Sequence, residues 1–135
     1  MDAVAHEVAI KVYYGDTDAG GVVYYGTYLR FLEQGRTEYM AARGIDVAAN
    51  HRAGSIFVVA HVDIRYIRPA HLGETVAVRS EVREVGGASL GFRQSVMRGG
   101  ETLAEADVTL AHTDATGRPA RLPTALRAAL ASVGA

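Results

Sequence analysis

The sequence contains no cysteine, which removes disulfide frameworks, Cys-ligated zinc and thiol nucleophiles together. An excess of either charge is missing too. Fourteen Lys+Arg stand against 15 Asp+Glu, a formal net charge of −1 with the five His neutral. There is thus no basic footprint for nucleic acid. No apolar run approaches the roughly 18 residues of a membrane span, so no integral membrane segment is expected. The opening Met1-Asp2-Ala3-Val4-Ala5-His6-Glu7 lacks the basic and apolar stretches of a signal peptide, and a cytoplasmic location is the expectation. What is present is ordinary for a globular chain: 49% hydrophobic and 21% charged residues over 135 positions. That length suits one domain, 1–135, with a core large enough to fold without staples.

Apolar periodicity divides the chain. From Glu7 to Tyr14 the residues Val8, Ile10, Val12 and Tyr14 alternate with polar ones, as in a strand. The turn formers Gly15-Asp16-Thr17-Asp18-Ala19-Gly20-Gly21 end it. From Tyr24 the spacing of Tyr25, Tyr28, Leu29, Leu32, Arg36, Tyr39, Met40 and Arg43 predicts a helix of about 20 residues, closed by Gly44. Gly35 in its middle costs up to about 1 kcal/mol relative to Ala, and close approach of a sheet would explain it. A polar loop, Asn50 to Ser55, leads into four strands: Ile56 to Arg68, Glu74 to Val85, Ser89 to Arg98 and Thr102 to Thr113. Plain alternation in the first of these puts Phe57, Val59, His61, Asp63, Arg65 and Ile67 on one face. Gly99-Gly100 is a hairpin turn. Pro123 suits the first turn of a short final helix carrying Leu126, Leu130 and Val133. One strand, one long helix and four consecutive strands read as an α+β domain, an antiparallel meander covered by the helix.

The chemistry-bearing residues concentrate in Asp16 to Tyr25. Two carboxylates sit in a Gly-rich loop leading into a helix N-terminus, where unpaired N–H groups can hold a developing oxyanion. A carboxylate there can act as base or nucleophile on the same bound group. The same two residues can equally serve only to satisfy the loop and cap the helix, and spacing alone does not choose. An EF-hand fails, because position twelve is Thr27 instead of Glu and a strand precedes the loop. No HExxH occurs, and His61 with Asp63 on one strand face reads as packed polar residues, so no metal is expected. Gly87-Ala88-Ser89-Leu90-Gly91 matches a nucleophile elbow with Asp107 and His112 downstream, but Leu90, Phe92, Gln94 and Val96 alternate as a strand where a helix is required.

Asp16-Thr17-Asp18-Ala19-Gly20-Gly21-Val22-Val23-Tyr24, followed by Tyr28-Leu29-Arg30-Phe31-Leu32-Glu33 and Arg36, resembles the hotdog-fold acyl-CoA thioesterases. The group is that of 4-hydroxybenzoyl-CoA thioesterase and the Tol-Pal-associated YbgC-like proteins. The resemblance continues through Phe57-Val58-Val59, Ile64-Arg65-Tyr66, Arg68-Pro69-Ala70, Leu72-Gly73-Glu74 and Leu122-Pro123. It implies a hotdog fold, an antiparallel sheet wrapped around one long helix, in homodimers or homotetramers with active sites between subunits. By position it makes Asp18 the catalytic carboxylate and the Tyr25 backbone N–H the group that polarises the thioester carbonyl. It places Glu33 at the acyl pocket, leaves Asp16 to support the loop, and offers Phe57, Val59 and His61 as pocket lining. Two positions depart from the pattern. Tyr25 stands where many YbgC-like sequences have His, and Gly86-Gly87-Ala88 replaces a basic turn that binds coenzyme A phosphates. Arg118 and Arg121 are the substitutes considered for that contact. The resemblance thus implies hydrolysis of an acyl-CoA or aroyl-CoA, with coenzyme A as part of the substrate and no separate cofactor. An acyl-carrier-protein thioesterase and a non-catalytic acyl-thioester binding protein are the alternatives.

Overall fold

The computed structural model describes residues 5–131. Strand β1 (Ala5–Lys11) is followed by a 3-10 turn (Tyr14–Asp16), helix α1 (Thr27–Ala42) and a short helix α2 (Val47–Arg52). Strands β2 (Ile56–Tyr66), β3 (Thr75–Val85), β4 (Ser89–Arg98) and β5 (Glu101–Thr113) come next, then helix α3 (Thr124–Ala131). The five strands form one antiparallel sheet in the order β1-β3-β4-β5-β2. Only β3-β4-β5 is a meander. The chain crosses from β2 at one edge to β3 near the other, so the expected four-strand meander is corrected. β2 pairs with β5, and β1 covers the far edge of β3.

The inner face of the sheet carries Val76, Val78 and Ser80 of β3 and Leu90, Phe92, Gln94 and Val96 of β4, all buried. Ala104, Ala106, Val108 and Leu110 of β5 complete it. Across this face lies α1, burying Tyr28, Phe31, Leu32, Gly35, Arg36, Tyr39 and Met40. The expected helical face is therefore rotated. Phe31 is fully buried, whereas Leu29 is 45% and Tyr25 64% exposed. Gly35 explains the rotation. A Cβ there would stand 2.6 Å from Val78 Cγ1 and 2.9 Å from Ser80 Oγ, so the row that contains Gly35 is the one that seats against the sheet.

Three boundaries also move. The helix starts at Thr27, because the preceding residues are tied to the loop and to Ala70. The start of the segment read as a polar loop from Asn50 belongs to α2, whose N-cap Asp46 accepts the Ala49 N–H at 3.0 Å; its 6 residues are too short for periodicity to show. In β2 a bulge at Ala60 breaks the alternation, since Val59 pairs with Leu110 and His61 with Thr109. Phe57, Val59, Val62 and Ile64 consequently share the inner face, and His61, Asp63 and Arg65 turn outward opposite Thr109, Asp107 and Glu105. Val133 lies outside the described residues.

Replacing Gly35 with Ala adds helix propensity but forces a methyl into Val78. Overpacking of this kind costs about 1–3 kcal/mol, so the urea midpoint of Gly35→Ala should fall. A midpoint at or above wild type would show that the helix does not rest on the sheet at this residue.

Candidate active site

The loop before α1 is a doubled-back segment with Gly20 and Gly21 at its tip, and Gly21 takes a φ of 78° open to glycine. Asp18 N–H donates to Val22 O at 2.9 Å, Tyr24 N–H donates to Asp16 O at 3.0 Å, and Thr17 bridges Val23. The returning leg is held from the other side. Val23 N–H donates to Ala70 O at 2.8 Å, and the buried Tyr28 hydroxyl accepts from Ala70 N–H at 3.0 Å. The Arg68-Pro69-Ala70 segment thus clamps the loop to the start of the helix.

The two carboxylates have separate work. Asp16 is buried, accepts the Tyr13 N–H at 2.8 Å through Oδ2 and pairs with Arg30 of α1 through Oδ1. Asp18 is exposed and accepts only the Gly20 N–H, at 2.9 Å through Oδ1, leaving Oδ2 without a partner among the described residues. Neither caps α1. Its N-cap is Gly26, no side chain bonds there, and the first turn holds no acidic residue. The capping alternative raised by the sequence is set aside on that geometry. Among the described residues the Tyr25 N–H, two residues before the first residue of α1, has no acceptor.

Tyrosine rings crowd this opening. Tyr25 lies 4.6 Å from Tyr24 and 6.4 Å from Tyr66 between ring centroids. The Tyr66 hydroxyl donates to Tyr25 O at 2.9 Å, tying the end of β2 to the helix start. Burial first, then the neighbouring Tyr28 and Tyr25 phenols, raises the Tyr66 pKa above the usual phenol value, so this donor keeps its proton at neutral pH. The Tyr24 pKa is raised as well, chiefly by its hydrogen bond with Tyr25.

Glu33 lies two turns into α1, accepting the Thr37 hydroxyl at 2.8 Å. With Phe57 and Val59 it lines a cleft between α1 and β2. His61 is separated from that cleft by the bulge and stands exposed on the outer face. Arg118 and Arg121 are exposed at the opposite end of β2, where Pro119 bridges Thr113 and Thr113 pairs with Ile56. At about 3.3 Å per residue the 11 residues of β2 span roughly 35 Å, so within one protomer these arginines and Asp18 are far apart. The elbow competitor is dismantled. Ser89 opens strand β4, Asp107 pairs with Arg93, and buried His112 bonds Ser55 Oγ at 2.6 Å and Ala120 O at 2.7 Å. Among the described residues no group of three or more His, Asp or Glu could hold a metal.

Residues 12–130 match the model of the thioesterase-like superfamily. The chain belongs to that superfamily. It is 38% identical over 122 residues to the acyl-CoA thioesterase YbgC of Haemophilus influenzae, covering 89% of this chain and 90% of that one. Among solved structures it resembles a probable thioesterase from Bartonella henselae, at 32% identity and a TM-score of 0.83, with 88% and 99% of the two chains covered. A thioesterase from Thermus thermophilus, solved in complex with coenzyme A and zinc, is 30% identical with a TM-score of 0.82 over 94% of this chain and 92% of that one. The hotdog architecture implied by the loop and helix residues is the architecture of these superfamily members.

Some of what this superfamily member uses was not singled out from its sequence. Gln94 donates to Leu32 O and Ser80 Oγ, both at 2.8 Å, and accepts from Arg36 Nη1 at 3.0 Å. The signal available was a polar residue in the inward series Leu90, Phe92, Gln94, Val96. Arg127 donates to Gly86 O at 2.7 Å, so a basic side chain from α3 reaches the turn that has none of its own.

If Asp16 holds the loop, Asp16→Ala should lower stability by about 1–3 kcal/mol, because it strands a backbone donor and removes a charged partner. Urea denaturation followed by circular dichroism measures this. An unchanged midpoint would mean that Arg30 and Tyr13 N–H find equivalent partners elsewhere.

Proposed function

We propose that this chain is an acyl-CoA thioesterase, hydrolysing an acyl or aroyl thioester to the free acid and coenzyme A. The observation that carries the reading is a solvent-facing Asp18 carboxylate with a free oxygen, held on the same clamped loop as an uncapped helix N-terminus. The similarity to an acyl-CoA thioesterase over most of both chains supports the same reaction. In this account the Tyr25 N–H receives the thioester carbonyl oxygen and stabilises the negative charge that develops on it. Asp18 either attacks the carbonyl carbon or takes a proton from the water that does. By either route the C–S bond breaks, the electron pair leaves on sulfur, a proton returns to it, and water supplies the hydroxyl of the acid.

The site needs two copies of the chain. β2 is an edge strand, and Val58, Val59, Tyr66 and Ile67 along it are between 43% and 52% exposed. An edge of this length with apolar residues on it invites pairing. Two-fold pairing of antiparallel β2 edges would bring the Arg118 and Arg121 end of one protomer to the Asp18 loop of its partner. That closes the gap of one strand length that a single protomer leaves. We accordingly assign Arg118 and Arg121 to the phosphates of coenzyme A, with the dimer as the minimal active unit and a homotetramer as a pairing of such dimers.

Coenzyme A is preferred over an acyl carrier protein on the same grounds. The Gly86-Gly87-Ala88 turn lacks a basic residue, which favours a carrier protein, but Arg127 bonds its carbonyls and a Cβ on Gly87 would lie 3.5 Å from Arg121 Nη1. Positive charge is therefore delivered to the turn from the C-terminal segment. No helix among the described residues is long and apolar enough to cross a membrane, and a cysteine-free chain has no need of an oxidising compartment; we place the enzyme in the cytoplasm.

The direct test is a hydrolysis assay on acyl-CoA thioesters of graded chain length and on benzoyl-CoA, with light scattering on the same sample. Turnover by a dimer or larger assembly is the expected result. Turnover of acyl-carrier-protein thioesters alone would change the substrate, an active monomer would remove the shared site, and no turnover of any thioester would leave a binding protein.

A further inference from the structure

Arg118 and Arg121 lie in a segment, 114–123, that forms no helix or continuous strand. Their side chains are exposed and make no ion pair among the described residues. What places them is therefore the backbone that carries them. Asp114 closes the first half as a local turn, its Oδ1 accepting from Thr116 N–H at 2.8 Å and from Arg118 N–H at 3.1 Å. That turn ends at Arg118. Ala120 and Arg121 lie beyond its reach and have to be held from outside.

His112, near the end of β5 and only 3% exposed, holds them. Its N–H donates to Ala88 O at 2.8 Å, its carbonyl accepts Ala120 N–H at 3.0 Å, and its Nδ1 lies 2.7 Å from Ala120 O. One residue thus takes both polar groups of the Ala120 backbone and ties them to the Gly86-Gly87-Ala88 turn. A carbonyl only accepts, so Nδ1 carries a proton and Nε2 is left to the Ser55 hydroxyl at 2.6 Å. The Ser55 bond and the Phe57 ring, 5.2 Å away between centroids, fix the plane of the imidazole. Just beyond Ala120, Leu122 N–H donates to Gly87 O at 2.9 Å, so Arg121 sits between two ties to the same turn. Nothing in the chemistry assigned to Asp18 and Tyr25 uses this buried imidazole.

We propose that His112 is a positioning residue for the nucleotide end of the substrate: through Ala120 it sets where Arg121 stands against the Gly86-Gly87-Ala88 turn. The inference rests on the thioesterase reading and on the assignment of Arg118 and Arg121 to the coenzyme A phosphates. His112 itself touches no substrate. Its loss acts on the binding of a nucleotide-bearing thioester and leaves the step at the thioester carbonyl alone. A residue that only filled the core would behave otherwise. Gln, nearer to His in size, would then replace it better than Asn, and every substrate would suffer alike. The positioning role reverses that order. Asn carries its amide nitrogen where His has Nδ1 and can donate to Ala120 O, whereas Gln carries its own where His has Nε2, toward Ser55.

The experiment measures kcat and KM for one acyl group carried on coenzyme A and on N-acetylcysteamine, which keeps the thioester but lacks the nucleotide. His112→Gln should raise KM for the acyl-CoA about fivefold or more, the scale of one lost hydrogen bond, with kcat and the short thioester's KM near wild type. His112→Asn should bring the acyl-CoA KM back toward wild type. Equal losses on both carriers, or Gln outperforming Asn, overturn the proposal. A wild-type KM in the double variant Arg118→Ala, Arg121→Ala overturns the arginine assignment and the proposal with it, and leaves the thioesterase reading standing. If no thioester is turned over, that reading fails, and calorimetric titration with adenosine 3′,5′-bisphosphate decides the proposal separately. Weaker binding by His112→Gln than by His112→Asn upholds it, and equal binding overturns it. Should His112→Gln fail to fold, the wild-type protein decides by nuclear magnetic resonance. The His112 Nδ1–H signal should shift on saturation with the same bisphosphate, and an unmoved signal overturns the proposal.

Discussion

The contact of α1 with the sheet at Gly35 is the constraint on which the rest of the structure depends. Without a Cβ the helix settles onto Val78 and Ser80, and at that distance Gln94 can span the interface. Its amide satisfies Leu32 O and Ser80 Oγ while its oxygen takes the Arg36 guanidinium. Apolar packing alone would allow the helix to roll between neighbouring rows of side chains. Three directional bonds to one buried amide do not. The rotation they set turns Phe31 and Tyr39 into the core and leaves Leu29 and Glu33 facing β2, which is why the cleft lies on that side.

The helix start is set from the other direction. Asp16 is spent on the fold, tying the Tyr13 backbone and Arg30 together, and that leaves Asp18 unburdened at the tip of the same loop. Two carboxylates two residues apart thus acquire different environments, one buried and paired, the other exposed with a free oxygen. The Tyr66 hydroxyl on Tyr25 O and the Ala70 clamp on Val23 join the loop, the helix start and the end of β2 into one hydrogen-bonded group. Preorganisation of this kind is what a carbonyl-polarising N–H needs, since its work is done only if it costs no rearrangement during the reaction.

Much of this was legible in the sequence, and the residues that were not have physical reasons. The close approach at Gly35 could be anticipated because glycine inside a helix is costly unless something occupies the space. The strand limits of β4 and β5 followed from alternation to within a residue. Alternation failed in β2, because a bulge at Ala60 inserts one residue without changing composition, and His61 changed faces as a result. Strand order was not readable either: alternation marks each strand but not which strands pair, and β5 takes β2, far from it in sequence, as its outer neighbour. The rotation of α1 was missed because Leu29 and Phe31 are both apolar and periodicity alone cannot rank them. At the site, the Asp16–Asp18 loop was visible as a motif, whereas the division of labour between the two carboxylates required the hydrogen bonds.

The central claim is that the Asp18 carboxylate does the chemistry on a scaffold it does not hold together. Asp18→Asn tests this most directly, because Asn keeps the shape and can still accept the Gly20 N–H. The account predicts an unchanged fold and assembly, a KM close to wild type and a kcat on the best acyl-CoA lower by about 10² or more, the scale of general-base catalysis. A folded, assembled Asp18→Asn protein with near-full kcat would contradict it.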